Sequence, residues 1–273
     1  MDILLDTLLD TYLIFPILLL MYLFLEYIEH KNTKMDYSAY FVKYGPLYGA
    51  CLGLIPQCGF GVLASMLFIE KKITLGTLVS VFIATSDEAI PILIAYPEQY
   101  QCLLGILITK WILAIIIGYL VDNLFRYNTF TYQKKSALHQ HNHSIFIESL
   151  LRTLKIYIFI FITNAILSFI IEWIGEEQLS FLLLDQSLIQ PIISALFGFI
   201  PNCAASVILT QLHINQVLSF ASLLAGLITN AGLGILVLLQ NKVDMRMILK
   251  ICFILFISSL IVALPLQWFH LFG

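Results

Sequence analysis

Six apolar stretches of membrane-crossing length, at residues 11–28, 74–96, 102–122, 150–172, 217–239 and 247–269, dominate this chain. Two further stretches, 45–70 and 188–213, are equally apolar but are interrupted near the middle by Ile-Pro-Gln-Cys and Ile-Pro-Asn-Cys. A crossing takes roughly 20 apolar residues, so the six intact stretches read as transmembrane helices. Hydrocarbon offers no partner to an open backbone N–H or C=O, which makes the expected fold class all-α. With 60% hydrophobic and 11% charged residues, a water-soluble domain is excluded.

The interrupted stretches need a different reading. Each arm has about 11 to 13 residues, or roughly 16–20 Å of helix, against a hydrocarbon thickness of about 30 Å. Such an arm belongs to a broken span or to a re-entrant helical hairpin whose tip stops inside the membrane. The basic residues choose between these, because Lys and Arg collect on the cytoplasmic side. Lys31, Lys34 and Lys43 precede the first interrupted stretch and Lys71 and Lys72 follow it, so it enters and leaves on one side. Residues 97–101 and 214–216 carry no Lys or Arg, and 172–187 holds Glu172, Glu176, Glu177 and Asp185. Arg126, Lys134, Lys135, Arg152 and Lys155 mark one inner connection, and Lys242, Arg246 and Lys250 another. The resulting topology has both termini outside, the first hairpin opening inward and the second outward.

Opposite openings are what an inverted repeat requires. A shift of 145 residues lays Pro46 on Pro191 and Gly53-x-Ile-Pro-x-Cys58 on Gly198-x-Ile-Pro-x-Cys203, with nine of 33 positions identical from Gly53 to Thr85. The expected organisation is a first repeat at 1–125, a cytoplasmic linker at 126–148 and a second, inverted repeat at 149–273. Each repeat holds three crossings plus a broken helical hairpin, ten helices in all, with discontinuous helices at the midplane. The N-terminus shows neither a basic leader nor a small-residue cleavage site, so no cleaved signal is expected. Five scattered cysteines without a CxxC predict no disulfide framework.

Chemistry concentrates at the interruptions. The span after the first hairpin contains Ala84-Thr85-Ser86-Asp87-Glu88-Ala-Ile-Pro91, two acids in an apolar crossing. Each would cost about 2.5–3.5 kcal/mol at the bilayer centre, so Asp87 and Glu88 are expected to face protein, water or an ion. Thr85 and Glu88 have the spacing of a capping box, which would start a second half-helix there. The corresponding Thr229-Asn230-Ala-Gly232-Leu-Gly234 keeps capping and glycine character without an acid. Pro56 and Pro201 fit the first turn of each outgoing hairpin arm, which would leave Gln57, Cys58, Asn202 and Cys203 lining exposed helix starts. Lys110 lies too deep for a simple headgroup anchor and is expected either to pair with Asp87 or Glu88 or to snorkel outward. His139, His141 and His143, on the longest polar loop, are a weak metal-binding pattern.

At GLIPQC, TSDE, FIPNC and TNAG the chain resembles the ten-transmembrane heavy-metal exporter family, also labelled arsenic efflux proteins or manganese transporters. That resemblance implies a secondary transporter of the bacterial inner membrane exporting a metal or metalloid, with a candidate site at Gln57, Cys58, Thr85, Ser86, Asp87, Glu88, Asn202, Cys203, Thr229 and Asn230. The absence of a Walker A sequence points to an ion gradient or a partner as the energy source. Oxygen ligands from Asp87 and Glu88 suit Mn2+, whereas Cys58 and Cys203 suit arsenite or Zn2+. Full charges outweigh helix-end dipoles, which favours a divalent cation, Mn2+ first. Arsenite efflux through the cysteine tips is the alternative. An intramembrane enzyme is the alternative of another class, with neither HExxH nor GxSxG in its favour. The expected partners are the bilayer, the metal or metalloid ion, a coupling proton or cation and, for the oligomeric state, a second copy of the chain; no cofactor or nucleic acid is expected.

Overall fold

The computed structural model describes residues 38–56, 59–86, 88–125 and 188–269, with isolated positions at 16, 19, 150, 153, 154, 157, 158, 161, 162 and 169. The crossing expected at 11–28, most of that at 150–172, and Gln57, Cys58, Asp87, His139, His141 and His143 lie outside the described residues. The chain divides into two compact units, Met1–Ala39 with Asn128–Trp173 and Tyr40–Tyr127 with Ile174–Gly273.

The described residues of the second unit form ten α-helices in two sets of five. The first set is α1 (Ser38–Gly53), α2 (Gly59–Ile69), α3 (Leu75–Ala84), α4 (Ala89–Ala95) and α5 (Tyr100–Leu124). The second is α6 (Gln190–Gly198), α7 (Cys203–Ile214), α8 (Phe220–Thr229), α9 (Leu233–Gln240) and α10 (Met245–Phe269). Four spans, Leu75–Ala95, Pro97–Leu124, Phe220–Gln240 and Met245–Phe269, are long and apolar enough to cross a membrane. They match four of the six crossings read from the sequence. The first and third are each made of two helices separated by a break, as the polar residues within them required.

The two sets keep the 145-residue offset closely. Gly53 and Gly198 end the first hairpin arms, Leu75 and Phe220 begin the broken helices, and the final helices run from Tyr100 and Met245 to Leu124 and Phe269. The turns after α2 and α7 place Lys71 at φ 58° and Gln216 at φ 61°. Each turn carries the same paired bonds, Lys71 N to Phe68 O with Lys72 N to Leu67 O, and Gln216 N to His213 O with Val217 N to Leu212 O. This is the left-handed cap that satisfies the last carbonyls of a helix.

Packing explains the glycine of GxIPxC. A methyl group at Gly53 would lie 2.7 Å from Val81 O, and one at Gly198 would lie 2.2 Å from Gly226 O. The hairpin arm therefore rests directly on the broken helix, backbone against backbone, as small residues permit between membrane helices. The prolines of the same motif do not enter the outgoing arms. α2 begins at Gly59, and α7 begins at Cys203 after its N-cap Asn202. Pro56 and Pro201 belong to the tips instead; after Pro201, Asn202 caps α7, its side chain accepting from Ala204 N.

Contacts between the sets are exchanged by swapping them. α2 packs on α9 and α7 on α4, α3 meets α8, and α5 touches α8 as α10 touches α3. The broken helices form the core: every residue of α3 and of α8 is buried. α5 and α10 expose long apolar rows on the outside, among them Leu104, Ile108 and Ile112, and Leu249, Phe253 and Ile257. Those rows suit lipid.

Candidate functional site

The two breaks are the only places in the core of this unit, among the described residues, where a buried helix stops midway. α3 ends at Ala84, and its C-cap Thr85 turns to extended backbone, φ −61° and ψ 130°. The Thr85 hydroxyl donates to Val81 O at 2.7 Å, closing the last turn of its own helix. The expected capping box is not made. Thr85 serves the C-terminus of α3, and Glu88 precedes α4 in helical conformation with no side-chain capping bond. In a capping box the Glu carboxylate accepts from the N–H of the Thr, and Thr85 N already donates to Val81 O at 3.0 Å.

In the second break, α8 ends at Thr229 and its C-cap is Asn230. Thr229 Oγ1 donates to Ala195 O at 2.7 Å, which ties α8 to α6. Asn230 Oδ1 accepts from Gly232 N at 3.0 Å. Gly232 has φ 53° and ψ −141°, a region that essentially only glycine occupies, so the chain reverses into α9 there without strain.

Lys110 joins the breaks. It sits on α5, is fully buried, and its ammonium donates to Thr85 O, to Ser86 Oγ at 2.6 Å and to Leu227 O at 2.7 Å. Thr85 O lies at the end of α3 and Leu227 O in the last turn of α8, so one cation faces the negative ends of two helices. Each end carries about half a negative charge. Removing an ammonium from water costs several kcal/mol, and these oxygens offset that cost. Outward snorkelling is thereby corrected: the ammonium points into the protein because these carbonyls hold it. The second set has Leu255 at the matching position, also fully buried, so a single lysine serves both breaks.

The hairpin tips approach the breaks crosswise. On α2, Ser65 Oγ lies 2.9 Å from both Gly61 O and Gly234 O, either of which can accept its one proton, and Gly61 lies under the Ala231 carbonyl of the second break. On the other side α7 packs against α4, beside the first break. Asn202, 5% exposed, uses Oδ1 to accept from Ala204 N at 3.2 Å, while its Nδ2 is buried without a hydrogen-bond partner. The structure thus brings Thr85, Ser86 and Lys110 into direct contact with one another and with α8. It places Asn202, Thr229 and Asn230 at helix ends in the same core, and leaves Glu88 partly exposed at the start of α4.

Sequence reasoning missed the residues that hold the outer ends of the broken helices. Asp122 accepts from Thr74 Oγ1 at 2.7 Å and Gly76 N at 2.8 Å, capping α3. Gln267 accepts from Ser219 Oγ at 2.6 Å, at the start of α8. These pairs are 145 residues apart, so extending the repeat beyond Thr85 would have found them. Ser65 left no such signal, since both its partners are backbone carbonyls.

An all-helical core with long apolar spans, two buried helix breaks and a buried cation between them defines a polytopic membrane protein built around a polar centre. The model of the family described as "Putative, 10TM heavy-metal exporter" matches residues 1–157 and 141–270. The chain belongs to that family. Neither curated proteins nor solved structures yield a match.

Proposed function

We propose that this chain is a secondary active exporter of a divalent transition-metal cation, with Mn2+ the first ion to test, working by alternating access around the two breaks. The observation that carries this reading is the seat of Lys110. Half-helix C-termini and unwound carbonyls are the means by which broken membrane helices bind cations. Here Thr85 O, Ser86 Oγ and Leu227 O already converge on a tethered one. Asp87 and Glu88, in the same break, add the carboxylates that a divalent ion requires. Glu88 is partly exposed.

Alternating access needs two repeats of opposite orientation, 1–125 and 149–273 joined by 126–148, and the contacts between helix ends support this. The end of α5 meets the start of α3 through Asp122 and Thr74, and Lys250 near the start of α10 lies 5.8 Å from the Phe125 ring. The start of α5 meets the end of α7, and Gln190, Ser219 and Gln267 join the starts of α6 and α8 to the end of α10. In this reading the equivalent helices α5 and α10 run in opposite directions, with Arg126, Lys242 and Lys250 inside and both chain termini outside.

In proteoliposomes loaded with Mn2+, Asp87→Asn and Glu88→Gln are expected to lower flux at least tenfold; unaltered flux would remove these carboxylates from the site. A second reading, efflux of arsenite, is favoured by the unpartnered Asn202 Nδ2 beside Cys203, a donor suited to an oxygen-bearing metalloid. It predicts arsenite flux that disappears in the Cys58→Ser, Cys203→Ser double variant while Mn2+ flux is unchanged.

A further inference from the structure

Cys102 and His213 lie away from both breaks, on α5 and α7, with Cys102 Sγ 3.2 Å from His213 Nε2. The other ring nitrogen, Nδ1, is 2.8 Å from Leu218 O. A carbonyl only accepts, so Nδ1 carries the proton, Nε2 is the bare nitrogen of a neutral imidazole, and the thiol donates to it. The Phe220 ring stands against the imidazole, its centroid 6.5 Å away and tilted by 64°. A soft sulfur and an imidazole lone pair therefore face one another, with the ring fixed from behind by a carbonyl, as in metal-ligating histidines.

We infer that Cys102 and His213 form a two-ligand site for a divalent cation of the Zn2+ type, completed by water. Distances select the geometry. Bonds of about 2.3 Å to sulfur and about 2.0–2.1 Å to nitrogen place the two donors about 3.5 Å apart at a tetrahedral angle, against about 4.4 Å for a linear ion. The observed 3.2 Å needs only a slight opening for the tetrahedral case. Binding breaks the Sγ–H bond, forms metal–sulfur and metal–nitrogen bonds, and releases one proton to water per ion. Sulfur and nitrogen rank Zn2+ above Mn2+, so this site widens the cargo beyond the oxygen-bound ion.

The position suits release. Both side chains are partly exposed and stand at helix ends on one edge of the unit, Cys102 near the start of α5 and His213 near the end of α7. In the proposed topology that edge is the outer one, beside the Lys- and Arg-free connections 97–101 and 214–216. α5 carries Lys110 about 12 Å farther along, and α7 leads to the Asn202 tip about 16 Å away. An ion held by only two protein ligands is held weakly enough to be given up outside. That release role rests on the exporter reading; binding does not.

The test uses the full chain in nanodiscs, in the Cys58→Ser, Cys203→Ser background, titrated with Co2+. A thiolate-to-cobalt charge-transfer band is expected, displaced by Zn2+ and not by Mn2+, lost with Cys102→Ser, weakened with His213→Gln and kept with Cys252→Ser. A band that survives Cys102→Ser, or none at all in a folded background protein, overturns the site. For transport, Cys102→Ser in the otherwise unsubstituted chain is expected to raise about tenfold the outer Zn2+ concentration that half-inhibits export, at unchanged maximal flux. An unchanged half-inhibitory concentration overturns the release role. If that chain moves no metal while the band behaves as expected, the exporter reading fails and the binding site stands.

Discussion

Lys110 is the residue on which the centre of the protein depends, and its environment sets the cost of changing it. Replacing it by methionine keeps the stem that packs in α5 but leaves Thr85 O and Leu227 O buried without this donor. Each buried unsatisfied group costs about 1–3 kcal/mol, so Lys110→Met is expected to destabilise by about 2–4 kcal/mol, read as a lowered thermal midpoint in nanodiscs. An unchanged midpoint would mean that water replaces the ammonium at both helix ends. The sequence singled out Lys110 by its depth in an apolar span, yet suggested only acidic partners or the interface. Thr85 O and Leu227 O are backbone carbonyls, which any residue supplies, and for that reason they leave no trace in a sequence. Thr85 misled for a related reason: it spells a capping box with Glu88, but its N–H, which that box would use, donates to the backbone carbonyl of Val81.

Among whole elements, the breaks, the short helices and their 145-residue offset were legible because each depends on side-chain type: proline and glycine between the short helices, polar residues within apolar runs, apolar runs too short to cross. The helix ends were less so. Three turns close with a non-glycine residue in left-handed conformation, Lys71, Gln216 and Lys242, where glycine would be the expected signal. A side chain there costs about 1–2 kcal/mol, partly offset because glycine loses about 0.5–1 kcal/mol more in ordering. Gln216 is exposed, so little contact is lost on substitution. Gln216→Gly is expected to stabilise the chain by about 0.5–1 kcal/mol, or to raise its thermal midpoint by about 1–3 °C. A fall in the midpoint would show that the Gln216 side chain contributes more than the backbone strain removes.

For the molecule as a whole, the exchanged packing of α2 on α9 and α7 on α4 ties each hairpin to the broken helix of the other set. A movement of one hairpin must therefore be felt at the opposite break, which is the coupling that alternating access needs. In the proposed topology Lys71 lies in a cytoplasmic turn, and its counterpart Gln216 in an outer one without Lys or Arg. Both positions are exposed and share one backbone geometry, so they make a matched pair of reporters. With the unsubstituted chain as the blank, Gln216→Cys is expected to react with an impermeant maleimide on intact spheroplasts, and Lys71→Cys only after permeabilisation. Labelling of both from one side would make the two sets parallel. A parallel pair would open both hairpins to the same compartment, so the exchange of inward and outward states by symmetry would be lost, whatever ion the centre holds.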